Sequence, residues 1–272
     1  MLRILLPTDF SPPALNAFRY ATNLATLING RIDLVHVHLP EMLGGSMLSL
    51  KDIKDTERGV RNRFLERLES FSGQTDKKIV FGHRVAFHES VAGGIVETAS
   101  ELDPQLIVMG LKNTHNLFEK LFGSITSDVI AKSPIPLLVI PENVAFENAE
   151  KLVFATNFEK GEEEIWGKLD KWADMLGVEV EVVHIGKESG RSVASGEAEK
   201  FYDKHGGVHF VEAPTVLEGL NGYLMERPAS VLALFKPRRG FFEKLVKTSH
   251  SRSILFEANM PVLVLTKTLK AF

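Results

Sequence analysis

Cysteine is absent from the 272 residues of this chain. Its absence excludes disulfide bonds, thiolate metal sites and cysteine nucleophiles, and it suits the reducing cytoplasm, where we expect the protein to be. A strong excess of one charge is missing too, since 32 basic residues face 35 acidic ones and the net charge is −3. This balance provides no electrostatic footprint for nucleic acid or for an anionic membrane, so we expect neither as a partner.

Long apolar runs are also missing. The apolar residues at positions 1–6 are too few for a signal peptide or a membrane span, and we interpret them as a first strand. Hydrophobic residues nevertheless make up 44% of the chain, which predicts a packed globular core. A length of 272 residues suits two domains of ordinary size.

Short apolar runs alternate with amphipathic segments through the first half of the chain. We predict strands at 2–6, 32–38, 78–85, 106–109 and 136–140, separated by helices at 10–29, 55–72, 91–102 and 125–132. Proline opens the run at 136–140, as is often seen in edge strands. Strands that alternate with helices predict an α/β fold in which a parallel sheet is doubly wound by right-handed crossovers.

Such sheets bind ligands beyond the carboxyl ends of their strands, where the strand order reverses. The segment Pro7-Thr8-Asp9 ends the first predicted strand, Val37 lies near the end of the second, and Gly110 ends the fourth. We therefore expect these three pieces, which are distant in sequence, to meet at one crevice.

The loop after the fourth predicted strand has the spacing Gly110-x2-Asn113-x9-Gly123-Ser124 and leads into a helix. Glycine and a hydroxyl residue at a helix N-terminus leave several backbone N–H groups free to bind an anion. The spacing is also compatible with an ordinary connection in which Ser124 only caps the helix. Asp9 has a similar alternative, because a carboxylate at that place can simply stabilise a turn.

The second half of the chain is a shortened repeat of the first. Residues 4–11 align with 152–159 and residues 33–37 with 181–185, both at an offset of 148 residues. The loop segments 117–121 and 241–245 match at an offset of 124. We predict two tandem domains, residues 1–143 (the first half) and residues 150–272 (the second half), with a polar boundary between them.

The final strands of the two halves, 136–140 and 261–265, match as well, and we predict that they pair. Such pairing would cover two apolar edges and form an intramolecular pseudo-dimer with a pseudo-twofold axis.

The repeat has lost the loop features. Asn157 replaces Asp9, and the offset of 124 places Leu234 at Gly110, Pro237 at Asn113 and Lys247 at Gly123, while Thr248 keeps the hydroxyl.

Both halves resemble the universal stress protein family in its tandem arrangement. The resemblance rests on segments 7–11, 34–37, 103–124 and 133–140, and the loop follows the family pattern Gly-x2-Gly-x9-Gly-[Ser/Thr] with Asn113 at the second glycine. It implies an adenine nucleotide, ATP or AMP, in a single site of the first half, and a regulatory role in the stress response. A homodimer is an alternative assembly, and Mg²⁺ or Mn²⁺ carried by ATP is left open.

The resemblance also implies roles for individual residues. Asp9 would contact the ribose or adenine, and Asn113, Gly123, Ser124 and Ile125 would meet the phosphates. Pro7, Thr8 and Val37 would line the adenine pocket, and Met109 and Gly110 would form its floor. No catalytic residue and no protein-only metal site is predicted. His36 and His184, which repeat at one place in both halves, are interpreted as partly buried strand residues.

Two other functions remain open from the sequence. A nucleotide-free scaffold that works through partner contacts is compatible with the departure at Asn113. A slow ATP hydrolase is less well supported, because the chain has no Walker-type Gly-Lys-Ser, no paired carboxylates and no evident base near Ser124.

Overall fold

The computed structural model describes residues 1–39, 50–72, 79, 81–112, 125–147, 150–158, 161–186, 196–227, 231–235 and 260–266. The predicted phosphate residues Asn113, Gly123 and Ser124 lie outside these ranges. So do the second-half positions Pro237, Lys247 and Thr248.

The first half alternates strands and helices as predicted. Its elements are β1 (Arg3–Pro7), α1 (Pro12–Leu27), β2 (Arg31–His38), α2 (Leu50–Ser72), β3 (Phe81–Phe87), α3 (Val91–Leu102), β4 (Leu106–Leu111), α4 (Ile125–Lys132) and β5 (Leu137–Pro141). Ser11 caps α1 by accepting a hydrogen bond from the N–H of Ala14, and two prolines follow in the first turn, where their missing N–H groups cost nothing. Several expected boundaries were wrong. The largest difference is at α2, which starts at Leu50 rather than at position 55, while β3 ends at Phe87 rather than at position 85 and β4 continues one residue past Gly110.

The described part of the second half follows the same order, and its second helix has 9 residues where α2 has 23. Its elements are β6 (Lys151–Ala155), α5 (Glu163–Leu176), β7 (Glu179–Ile185), α6 (Gly196–Lys204), β8 (Val208–Val211), α7 (Val216–Glu226), β9 (Val231–Phe235) and β10 (Val262–Leu265). Within the described ranges, no helix has both the length and the hydropathy that crossing a bilayer requires.

The strands form one sheet in the order β3-β2-β1-β4-β5-β10-β9-β6-β7-β8. Every neighbouring pair is parallel except β5 and β10, which are antiparallel. Helices cover both faces, with α1, α2, α5 and α6 packed on one side and α3, α4 and α7 on the other. The α/β fold class and the doubly wound parallel sheet are therefore confirmed.

The final strands of the two halves lie side by side, as predicted. Leu138 faces Leu263, and the flanking pairs are Val139 with Val262 and Leu137 with Val264. β5 is the last strand of the first half, and its pairing with β10 places it inside the ten-stranded sheet, where all five of its residues are buried. The edge of β5 that the first half leaves open is covered by β10 of the second half.

The strand register corrects one part of the repeat. Ile4 pairs with Leu106 in the first half, and its counterpart Leu152 pairs with Val231 in the second. Leu106 and Val231 are 125 residues apart, so the counterpart of Gly110 is Phe235 rather than Leu234. The loop motif matched at an offset of 124 residues, whereas the strands on both sides of it, β4 with β9 and β5 with β10, match at 125. Phe235 is buried on the same face of the sheet as α1 and α5.

Candidate functional site

A cleft of about 1210 Å³ opens at the carboxyl ends of β1, β2, β4 and β5. Strand order reverses between β1 and β4, so this is the place where doubly wound sheets bind ligands. Seven of the ten predicted site residues line it. They are Pro7, Thr8, Asp9, Val37, Met109, Gly110 and Ile125.

The turn after β1 is held by its own polar groups. Thr8 is buried, and its N–H donates to the carbonyl of Val35 (2.8 Å) while its hydroxyl accepts from the N–H of Phe10 (3.0 Å). Asp9 is exposed, and its Oδ1 accepts from the N–H of Ser11 (3.0 Å). Asp9 therefore stabilises the turn and also lines the cleft, so the turn role and a ligand role are compatible.

Apolar side chains form the inner wall of the cleft. Val37, Met109, Val91 and Ile95 line it from β2, β4 and α3. The N-terminal turn of α3 lies close to β2, since a Cβ at Gly94 would be only 2.7 Å from the Val37 side chain. A wall of this kind suits a planar, weakly polar ring.

The close approach of α1 to β4 depends on Gly110. A Cβ at this position would lie 2.2 Å from the carbonyl oxygen of Pro13 and 2.9 Å from the nitrogen of Ala14. Both contacts are with backbone, so any side chain would push the first turn of α1 away from the sheet. Glycine is needed here for space, and it thereby fixes the position of one side of the cleft.

The N-terminus of α4 closes the other side. Ile125, Thr126 and Asp128 line the cleft there, and Ile125 is exposed, as expected for a residue at the rim. The first-turn N–H groups of a helix have no partner within the helix, so this end favours an anion.

Several lining residues were not predicted from the sequence. They include Pro13, His36, Ile95, Lys112, Asp128 and Glu142. His36 was interpreted as a partly buried strand residue, and it is half-buried, with Nδ1 2.8 Å from the carbonyl oxygen of Thr8. The signal for Asp128 was its place in the first turn of the predicted helix at 125–132. Glu142 gave no sequence signal.

Charges around the rim have both signs. Asp9, Asp128 and Glu142 contribute carboxylates, and Lys112 contributes an ammonium group. Across the part of the chain that the structure describes, no three His, Asp or Glu side chains are grouped so that they could hold a metal ion.

In the second half, the counterparts of His36 and Gly110 are the buried rings of His184 and Phe235. His184 is buried, its Nδ1 lies 3.0 Å from the carbonyl oxygen of Thr156, and its ring packs against Phe158 (4.6 Å between centroids). Phe235 is buried where the first half has Gly110. The helix starts later as well: Pro12 plus the 148-residue offset is position 160, whereas α5 begins at Glu163.

We expect His184 to make stability depend on pH. Burial lowers the pKa of His184 below its ordinary value of 6.5, and the hydrogen bond to Thr156 opposes this only in part. Below about pH 6.5, the unfolded chain therefore binds more protons than the folded one. The contribution of His184 to the free energy of unfolding is complete above that pH and is lost as the pH falls through the folded-state pKa. Urea unfolding of the parent and of His184→Asn at pH 7.5 and 5.5 measures this. The loss of stability between the two pH values should be smaller in the variant, and an equal loss would contradict the assignment.

Comparison with known proteins points to one family. The model of the universal stress protein family matches residues 1–141. A universal stress protein of Methanocaldococcus jannaschii is 29% identical over 153 residues, which cover 51% of this chain and 93% of that protein.

Two solved structures match along nearly the whole chain and support the fold. A universal stress protein from Archaeoglobus fulgidus has a TM-score of 0.66 at 17% identity, covering 97% of this chain and 96% of its own. A functionally unknown protein from Pseudomonas aeruginosa has a TM-score of 0.59 at 14% identity, covering 98% and 92%. Together with the family match over more than half of the sequence, they lead to one conclusion: this chain belongs to the universal stress protein family.

Proposed function

We propose that this chain binds one adenine nucleotide, ATP or AMP, in the cleft of its first half and acts as a nucleotide-dependent regulator of the stress response in the cytoplasm. The observation that carries the proposal is the convergence of seven sequence-predicted residues at the switch point of the sheet. They come from the ends of β1, β2 and β4 and from the start of α4, which are far apart in the sequence.

The geometry suggests how each part of a nucleotide is held. The apolar wall of Val37, Met109 and Ile95 takes the adenine ring, and the exposed carboxylate of Asp9 accepts hydrogen bonds from ribose hydroxyls. The phosphates lie at the start of α4, where free N–H groups and the helix dipole favour negative charge. Mg²⁺ or Mn²⁺ would enter with ATP, bound to its phosphates rather than to a protein-only site.

We further propose that residues 1–143 and 150–272 are tandem domains related by duplication, packed as a pseudo-dimer. Symmetric pairing of β5 with β10 about Leu138 and Leu263 supports this arrangement. Matching ion pairs support it too. Arg3 and Asp33 are 3.0 Å apart in the first half, and Lys151 and Glu181, 148 residues further on in each case, are 2.5 Å apart in the second.

Mass spectrometry of the purified protein is the first test. We expect ATP or AMP to copurify, and calorimetry of nucleotide-free protein to give at most one nucleotide per chain. A chain that neither retains nor binds a nucleotide would favour the scaffold function. Release of phosphate from ATP bound to the protein would favour the hydrolase function instead.

A lysine in place of Gly123 should abolish nucleotide binding. The repeat carries Lys247 at the matching loop position, and a side chain there blocks the approach of the backbone to the phosphates. We expect calorimetry to show no binding by Gly123→Lys, with an unchanged unfolding midpoint. Thr248→Ala in the second half is the control and should bind like the parent. Equal ATP affinity in Gly123→Lys and the parent would rule out this loop as the phosphate site.

A further inference from the structure

The turns that follow β1 and β6 are built in the same way. The hydroxyl of Thr8 accepts from the N–H of Phe10 at 3.0 Å, and the hydroxyl of Thr156 accepts from the N–H of Phe158 at 3.0 Å. Both phenylalanines have a positive φ, 62° and 54°, which is uncommon for a non-glycine residue. The two turns therefore present the same two donors, the threonine hydroxyl and the N–H of the residue after it, with the same local geometry.

In the second half those donors hold a carboxylate of the protein itself. The hydroxyl of Thr156 donates to Oε2 of Glu162 at 2.5 Å, and the N–H of Asn157 donates to Oε1 at 3.1 Å. Glu162 is only 2% exposed and Thr156 equally so. A buried carboxylate is costly unless its oxygens accept hydrogen bonds, and these two donors each bind one oxygen of Glu162.

The matching donors of the first half face the cleft. They are the hydroxyl of Thr8 and the N–H of Asp9, and neither donates to a protein acceptor among the described residues. The residue that matches Glu162 at the 148-residue offset is Ala14, which has no polar side chain. In the first half, the pair of donors thus faces the cleft, whereas in the second half the matching pair donates to the carboxylate of Glu162.

We propose that the second half contains a carboxylate-binding site, formed by the Thr156 hydroxyl and the Asn157 N–H, and that Glu162 occupies it as an internal ligand. Glu162 lies at the start of α5, so its carboxylate anchors the helix to the turn after β6. The helix dipole adds to the preference for a negative charge there. The site becomes open to small free carboxylates when the Glu162 side chain is shortened. This inference does not depend on whether the cleft of the first half takes a nucleotide.

Chemical rescue tests the internal ligand. Glu162→Ala removes a fragment with the shape of acetate, so free acetate fits the space that is left. We expect the variant to unfold several degrees below the parent, and sodium acetate to recover part of this loss when compared with sodium chloride at equal ionic strength. Glu163→Ala is the matched control. It removes a carboxylate from the exposed side of the same helix turn, where Glu163 accepts from the N–H of Gly161 (2.8 Å), and it should show no acetate-specific gain.

A second variant covers the case in which Glu162→Ala does not fold. Glu162→Gln keeps the volume but turns an amide N–H₂ toward one of the two donors, so we expect a lower unfolding temperature and no response to acetate. Equal stabilisation of Glu162→Ala by acetate and chloride would overturn the proposal. If only the glutamine variant folds, an unfolding temperature equal to that of the parent would overturn it.

Discussion

Replacing Gly110 by alanine should both destabilise the protein and weaken nucleotide binding. The added Cβ would lie 2.2 Å from the carbonyl oxygen of Pro13, and the neighbouring atoms are backbone, so the first turn of α1 must move. Overpacking of this kind costs about 1–3 kcal/mol of unfolding free energy. The same movement shifts Pro13 and Ala14, which line the cleft, and we expect nucleotide affinity to fall by about tenfold or more, equivalent to at least about 1.4 kcal/mol.

Gly167→Ala is the matched control for this substitution. Gly167 lies within α5, and a Cβ there would meet nothing within 4 Å. Alanine at such a helix position stabilises by up to about 1 kcal/mol, so this variant should unfold later than the parent and bind nucleotide equally well. Urea unfolding and calorimetry on both variants give the comparison. If Gly110→Ala matched Gly167→Ala in both stability and nucleotide affinity, the close packing of α1 against β4 would not depend on the absence of a side chain at position 110.

The second half shows what a side chain at this place does. Phe235 is the counterpart of Gly110 and is buried on the same face of the sheet, and the helix that follows β6 begins three residues later than the offset predicts. A side chain at this strand position thus occurs together with a later helix start, as expected if it prevents the close approach that Gly110 allows.

The sequence predicted most of the fold because local signals agreed with the tertiary structure. The predicted helix at 10–29 contains Ser11 and two prolines, a typical helix start, and the predicted strand at 106–109 is four consecutive apolar residues, typical of a strand buried on both faces. The start of α2 was missed by five residues, because the irregular stretch that includes Gly44 and Gly45 was interpreted as a connector. Packing of Val60, Phe64 and Leu68 against the sheet stabilises a helix that then extends further than its amphipathic part.

The candidate site was less predictable, because several of its features depend on distances across the fold. Glycine at 110 suggested a turn, whereas its role is to let Pro13 approach, and Pro13 is 97 residues away in the sequence. Glu162 was not singled out from the sequence, and its burial against Thr156 distinguishes it from the exposed Glu163. The wrong alignment of Leu234 with Gly110 had another cause. It was based on the loop motif, and a loop motif does not show the register of the strand before it.

Aspartate in place of Leu263 should produce the largest loss of stability. Leu263 is 3% exposed, lies at the centre of the β5–β10 pairing opposite Leu138, and borders a cavity of about 40 Å³ with apolar walls. Such a cavity holds no more than one or a few waters and offers a carboxylate no set of donors. We expect a loss of at least about 4 kcal/mol, because an unpaired charge would be buried where both halves of the sheet meet.

Two controls separate the effect of burying a charge from the effect of changing the Leu263 side chain and from the effect of adding a charge at the surface. Leu263→Met keeps the volume and should cost less than about 1.5 kcal/mol. Met225→Asp places the same charge at a side chain that is 84% exposed, near the end of α7, and should cost no more than about 1 kcal/mol. Urea unfolding followed by tryptophan fluorescence suits this comparison, because Trp172 borders the same cavity. A midpoint for Leu263→Asp close to that of Leu263→Met would mean that water reaches the seam between β5 and β10. In that case burial of apolar side chains at the seam would not be what holds the two halves of the sheet together.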